Sequence, residues 1–159
     1  MRCAGLLLAA ALAHAQPVQT EVDTRSAAAG LDAEFRRLLT TQPQPAWIAY
    51  RVPAARNANL GCEFSHGVVH LEPAKEVVIL FRVESNQVGR IRALSGDCEI
   101  DAGGLPVHWL TEVQPAQGAD LLIGFVRTAP TPALRRQAMN SLVVSGDARA
   151  TSFLEGLLR

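Results

Sequence analysis

Apolar and polar positions follow different periods in different parts of this chain, and each period predicts an element. Residues 26–39 place apolar side chains near a helical spacing, which predicts an amphipathic helix. Residues 47–52, 76–84 and 87–94 are short runs of strand-forming composition, closed by proline or by small polar residues, which predicts strands. The helical period returns from residue 115.

The runs in the middle of the chain predict a β-hairpin within a small sheet. The segment Val77–Phe81 is apolar without alternation, as expected of a central strand that is covered on both faces. Ser85 and Asn86 supply a tight turn to the next run. Shorter strands are expected over residues 67–71 and 97–101, so the sheet is predicted to be mostly antiparallel.

Helices are predicted to follow the sheet. A helix over residues 115–127 precedes a helical hairpin over 132–159, whose second helix starts at Asp147 because that carboxylate can cap the first turn. The predicted fold class is therefore α+β, a small sheet with an N-terminal helix and a C-terminal helical hairpin. We divide it into an α+β domain over 24–114 and a helical segment over 115–159.

The first fifteen residues have the order of a secretory signal peptide. Arg2 supplies the positive charge, and the apolar run over residues 4–12 is too short to span a bilayer core of about 30 Å. Ala13-His14-Ala15 has the small residues that precede a cut between Ala15 and Gln16. We expect a flexible leader over residues 16–23, no later membrane anchor, and a secreted or periplasmic location.

Charge and cysteine content narrow the functional classes. The chain has 15 basic and 15 acidic residues, and loss of Arg2 leaves a net charge of about −1, which argues against a nucleic-acid partner. Cys62 and Cys98 remain after cleavage, and an even count in an exported protein favours a disulfide over two buried thiols. Closing a loop of about 37 residues in this way stabilises a domain by about 3–4 kcal/mol.

Cysteine and histidine residues also have a spacing that suggests zinc, with Cys62, His66 and His70 as three ligands and Cys98 as the fourth. The residues between the two histidines are typical of an extended segment. At about 3.3 Å per residue, the histidines would lie roughly 13 Å apart, too far to share one ion. We therefore expect no metal ligand among these residues.

Asp97, Glu99 and Asp101 alternate, so that in a strand their carboxylates would share one face, as the start of a calcium loop does. The sixth position of such a loop is Ala102 where glycine is needed, and the twelfth is His108 where a bidentate acid is needed. A charged solvent face is the favoured interpretation, and no cofactor is predicted.

No pattern in the sequence predicts a catalytic nucleophile. Ser95 and Ser145 each precede Gly-Asp, but neither lies in a G-x-S-x-G motif, and both are typical of turns. His108, near Asp101 and beside Trp109, is the one plausible base, and we expect it to be structural. The alternative is a small exported hydrolase or ligand-binding protein with its site near these three residues.

Residues 97–110 and 45–50 resemble a group of uncharacterised exported bacterial proteins in which a small β domain precedes HEAT-like helical repeats. The hairpin Leu134–Leu158 is similar to one HEAT repeat, and the resemblance covers most of residues 45–158. It implies a non-enzymatic, exported protein that contacts a protein partner through its C-terminal helices. A free-standing solenoid needs about three repeats, so the hairpin either packs on the sheet or presents a repeat surface.

Overall fold

The computed structural model describes residues 22–62 and 72–159, and the elements below lie in those ranges. In chain order they are β1 (Val22–Ser26), α1 (Leu31–Thr41), β2 (Ala46–Pro53), β3 (Glu76–Glu84), β4 (Gln87–Ser95), β5 (Val107–Thr111), α2 (Pro115–Thr128), α3 (Pro132–Val144) and α4 (Ala148–Leu157). The presence of both helices and a sheet confirms the α+β class. The predicted signal peptide, most of the leader, His66, His70 and the strand over residues 67–71 lie outside the described residues.

The sheet has the order β1-β5-β2-β3-β4 and is mixed. β5 pairs in parallel with both β1 and β2, while β2, β3 and β4 pair antiparallel. The prediction of a mostly antiparallel sheet is therefore wrong. Because β5 is parallel to both of its neighbours, it cannot be joined to either by a hairpin. The connection from β1 to β2, which contains α1, joins the two strands that flank β5.

The N-terminal helix begins later than the periodicity predicted, at Leu31 rather than residue 26. Ser26 belongs to β1, and the first two residues of β1 lie in the segment predicted as a leader. The Ala27 amide extends the pairing of β1 with β5 by donating to the Thr111 carbonyl. Gly30, with φ 141°, then turns the chain into α1. From there the predicted apolar face is buried: Leu31, Phe35 and Leu38 are each 1% exposed.

The β3–β4 hairpin confirms the prediction for the centre of the chain. Ser85 and Asn86 both have positive φ, 53° and 60°, the conformation of a type I′ turn between right-twisted strands. Every residue of Val77–Phe81 is buried, because β3 is covered on both faces. Like-charged Arg82 and Arg90 are direct cross-strand partners next to a register shift in this hairpin.

Two apolar cores lie on the two faces of the sheet. The helix-side core joins all four helices to one face of the strands, and its largest buried members include Phe35, Ile48, Tyr50, Ile79, Phe81, Leu122 and Leu142. The opposite face is covered by the connection Gly96–Pro106, which we call the strap. This strap-side core consists of Trp47, Ala49, Val78, Leu80, Leu94, Ala102 and Val107, with Cys98, Ile100, Leu105 and Trp109 packed on it.

The C-terminal helices follow the predicted boundaries but share the core of the sheet. Asp147 caps α4, since its Oδ1 accepts from the Arg149 amide at 2.8 Å. The turn before α4 is fixed to the end of β2: the Gly146 amide donates to the Pro53 carbonyl at 2.9 Å, and the Ala55 amide donates to the Val144 carbonyl at 2.8 Å. α4 contacts α2 more extensively than it contacts α3. The hairpin therefore packs on the body of the protein.

No helix in the described ranges is both long and apolar enough to span a bilayer.

Candidate functional site

The side chains predicted for an alternative site, Asp101, His108 and Trp109, do not converge. His108 and Trp109 are consecutive residues of β5, so they project from opposite faces of the sheet. Trp109 packs on the strap-side core, whereas the neighbouring Leu110 belongs to the helix-side core, which places His108 on the helix side. Asp101 lies in the strap, where its carboxylate accepts from the Gly103 amide at 2.8 Å.

His108 is the most unusual polar residue among those described. It is 6% exposed, and neither ring nitrogen has a hydrogen-bond partner. Its Nδ1 lies 3.5 Å from Oδ2 of Asp23, the residue directly opposite it on β1. That distance is too long for a well-formed hydrogen bond. No serine or cysteine among the described residues is hydrogen-bonded to the His108 ring.

β1 and α1 also carry pairs of a carboxylate and a guanidinium, which we call the charge layer. Asp23 accepts from Nε of Arg25 at 3.0 Å, and Glu34 is bound by Arg37 one turn further along α1. The Arg25 hydrogen bond holds the pKa of the Asp23 carboxyl below its ordinary value, with smaller contributions from the Arg25 charge and from His108. Arg37 lowers the pKa of Glu34 in the same way. Each carboxylate already has a guanidinium partner, which fits a structural charge layer.

The opposite face of β5 carries an arginine–tryptophan pairing that the sequence did not reveal. The Arg51 guanidinium lies 5.1 Å from the Trp109 ring centre, and that of Arg92 lies 5.2 Å from the Trp47 ring centre. The Trp47 indole donates to the Ala102 carbonyl of the strap at 3.0 Å. Arg51 and Trp109 belong to neighbouring strands that are far apart in sequence, so only strand order could have identified the pair.

The remaining chemical candidates fall into structural roles. Cys62 and Cys98 form the predicted disulfide, with Cα atoms 5.5 Å apart, and sulfurs so bonded are not available as zinc ligands. The strand predicted over residues 97–101 is absent because this segment turns within the strap, so Asp97, Glu99 and Asp101 do not share a strand face. Within the described ranges, no group of three histidine, cysteine or acidic residues is arranged to hold a metal ion.

The two serines considered as nucleophiles are buried at the ends of elements. Ser95 closes β4 and donates to the Asp97 carboxylate. Ser145 ends α3, where its hydroxyl donates to the Ser141 carbonyl at 2.9 Å, and it forms an isolated bridge with Ala54. Neither forms a hydrogen bond with His108, the one histidine among the described residues. Ser95 directly precedes the turn at Gly96 and Asp97, and Ser145 directly precedes the turn into α4.

The C-terminal helices present a surface of a different kind. α4 carries an apolar stripe that begins at buried Ala150, continues through half-buried Phe153 and Leu154, and ends at Leu157, which is 55% exposed. Leu158 beyond it is 89% exposed, and Val143 on α3 is 54% exposed. The stripe thus leaves the body of the protein over the last turn of α4.

Beside this stripe, a groove of about 480 Å³ runs between α2 and α4. Ile123 and Phe153 line it, and the Arg127 guanidinium lies 5.1 Å from the Phe153 ring centre. An ion pair between Arg149 and Asp120 closes one side. Apart from Ser152, the described residues that line the groove are apolar or charged, and none of them is a histidine or a cysteine. This surface offers contact area rather than reactive groups.

No family model, curated protein or solved structure matches the chain. The resemblance to exported proteins with HEAT-like repeats therefore remains a prediction.

Proposed function

We propose that this protein is an exported, non-enzymatic binding protein that contacts a protein partner through its C-terminal helices. The observation that carries the proposal is the apolar stripe of α4, which is buried at Ala150 but exposed at Leu157 and Leu158. Contiguous exposed apolar patches mark sites of contact with other proteins, and these leucines continue the apolar residues of α4 into solvent. Phe153 and the groove between α2 and α4 extend the same surface.

The architecture of helical repeats explains why such a surface would bind protein. In a repeat array, each helical pair buries one face on its neighbour and offers another face to the next unit. In this protein, Leu134, Ala138 and Leu142 of α3 fill the first role, because they are buried in the core shared with the sheet. The exposed side chains, Val143, Leu157 and Leu158, are suited to the second role, for which the matching partner is an apolar helix surface.

Export is the second part of the proposal. It rests on two features of the sequence and the structure. The N-terminus has a positive charge, then an apolar run, then the cleavage motif Ala13-His14-Ala15. The Cys62–Cys98 disulfide is a bond typical of oxidising compartments. We expect the mature chain to start at Gln16. Intact-mass measurement of the exported fraction tests this expectation, and protein that retains Met1 there would contradict it.

The geometry around β5 favours this proposal over the alternative of a hydrolase or ligand-binding protein. Such a site would need Asp101, His108 and Trp109 on one side of the sheet, and they lie on two sides. Among the described residues, Asp23 is the acidic group that lies within ion-pair distance of His108. Around His108, the described residues therefore offer a substrate or ligand this single carboxylate rather than several convergent polar groups.

The test changes the exposed leucines without touching the core. In the double variant Leu157→Glu, Leu158→Glu, binding of the partner captured from the exported fraction, or self-association measured by sedimentation, should fall at least tenfold. The melting temperature should stay within about 2 °C of the wild type, because exposed substitutions change stability little. The double variant Thr40→Glu, Thr151→Glu introduces the same two charges at exposed positions of α1 and α4 and is the matched control. Equal binding by the leucine variant and this control would refute the proposal.

A further inference from the structure

The disulfide belongs to the smaller of the two cores, and this placement gives it a role beyond general stability. Cys98 lies in the strap, and Cys62 lies in the segment that follows β2. Both are half-buried rather than enclosed, so a reductant can approach them. We infer that the redox state of the Cys62–Cys98 bond controls the position of the strap: reduction of this bond releases the strap from the sheet and leaves the helix-side core folded.

Contacts other than the disulfide hold the strap at a few points. Ala102 is its only buried residue, and Ile100 and Leu105 are half-buried. Three of its backbone carbonyls accept hydrogen bonds from side chains of the sheet: Ala102 from the Trp47 indole at 3.0 Å, Asp101 from Arg92 at 3.0 Å and Gly96 from Arg51 at 2.7 Å. One backbone bond joins each end of the strap to the sheet: the Gly96 amide donates to the Glu76 carbonyl, and the Pro106 carbonyl accepts from the Trp47 amide, each at 2.9 Å. When the strap opens, water can hydrogen-bond to the freed donors of the sheet and to the freed carbonyls of the strap. A segment with so few buried contacts opens locally more readily than a core element.

The helix-side core does not depend on the strap. It is built from α1, α2, α3, α4 and the helix-facing side of the strands, and no residue of Gly96–Pro106 belongs to it. Release of the strap therefore removes no packing contact from that core. What release uncovers is the apolar sheet face around Trp47, Leu80 and Leu94. The expected open state is a folded body with one sheet face exposed to solvent.

The chemistry requires an external dithiol and balances as ordinary thiol–disulfide exchange. A thiolate of the dithiol attacks one sulfur of the Cys62–Cys98 bond, which breaks to give a mixed disulfide and one cysteine thiolate. The second thiol of the reductant then displaces the other cysteine. Two electrons and two protons pass to the protein, which gains two thiols, while the dithiol becomes a disulfide. An oxidised dithiol partner reverses the sequence.

The positions of the tryptophans make the opening measurable. The chain has two tryptophans, and both Trp47 and Trp109 lie on the strap side of the sheet. On treatment of the folded, oxidised full chain with dithiothreitol, tryptophan emission should shift to longer wavelength, and amide exchange over residues 96–106 should accelerate at least tenfold. The far-UV circular dichroism and a cooperative thermal transition should be retained. Re-oxidation should restore the starting emission.

Two results would overturn the inference. Unchanged emission and amide exchange after complete reduction would show that the strap stays closed without the disulfide. Loss of circular dichroism on reduction would show that the bond holds the whole fold rather than the strap. The double variant Cys62→Ser, Cys98→Ser should match the reduced wild type and show no response to dithiothreitol. If that variant fails to fold, the reduced wild type decides the question, because it is folded before reduction starts.

Discussion

Substitution of Gly146 by alanine tests whether the C-terminal helices are fixed to the sheet. A Cβ atom at this position would lie 2.5 Å from the Ala54 carbonyl oxygen and 2.9 Å from the Ala54 carbonyl carbon. Both are backbone atoms, so the strand end and the α3–α4 turn must separate. Overpacking of this kind costs about 1–3 kcal/mol, and weakening of the two hydrogen bonds that join the turn to Pro53 and Ala55 adds about 1–2 kcal/mol.

The entropy that alanine removes from the unfolded chain offsets up to about 1 kcal/mol of this cost. We therefore expect Gly146→Ala to lower the free energy of unfolding by about 1–5 kcal/mol, measured by urea denaturation with an unchanged dependence of that free energy on urea concentration. Gly124→Ala is the matched control, because a Cβ there meets no atom within 4 Å and glycine is unfavourable inside α2. If the two variants were equally stable, the turn could not be docked on β2 as described, and the hairpin would be free of the sheet.

The other predictions concern the core and the charge layer. Phe81 is fully buried against Phe35, Tyr50 and Phe125. Phe81→Ala should therefore lower the free energy of unfolding by about 3–5 kcal/mol in chemical denaturation, and a loss below about 1 kcal/mol would contradict the packing. Phe153 is only half-buried, so Phe153→Ala should lower the free energy of unfolding less, by about 1–3 kcal/mol in the same measurement. A loss as large as that of Phe81→Ala would place the Phe153 ring inside the core. The pKa of Asp23 is lowered in the fold, so the unfolded chain takes up the proton of this carboxylate first as the pH falls, and stability should decline below about pH 4. Asp23→Asn should reduce that decline in thermal melts from pH 6 to pH 2. An identical pH profile of the variant and the wild type would refute the role of this carboxylate.

The buried histidine illustrates how far a candidate site can be judged from the sequence. The sequence singled out His108 with Asp101 and Trp109 because they lie close together along the chain. The actual neighbour of His108 is Asp23, which the sequence analysis assigned to a flexible leader. Residues that are adjacent in a strand face opposite sides, so proximity along the chain could not decide which groups meet. That decision required knowing that residues 107–111 form a strand between β1 and β2.

Local pattern alone determined several features of this protein. The central hairpin with its Ser85-Asn86 turn, strand β2, the three C-terminal helices and the Asp147 cap depend on residues near one another in sequence, where side-chain period and turn chemistry act directly. The Cys62–Cys98 pairing also followed from the sequence, because these are the two of the chain's three cysteines that lie beyond the predicted cleavage after Ala15, and two cysteines allow one intramolecular bond.

Tertiary structure decided the remaining features. β1 and β5 are five-residue strands with little apolar alternation, and each is stabilised by parallel pairing with a segment distant in the chain. Residues 97–101 look like a strand by composition, yet they form turns and irregular structure within the strap, where Ile100 and Ala102 pack on the sheet face. The helical hairpin has the same apolar period whether it is free or docked. Backbone hydrogen bonds from its turn to Pro53 and Ala55 fix it on the sheet, and no local pattern encodes that contact.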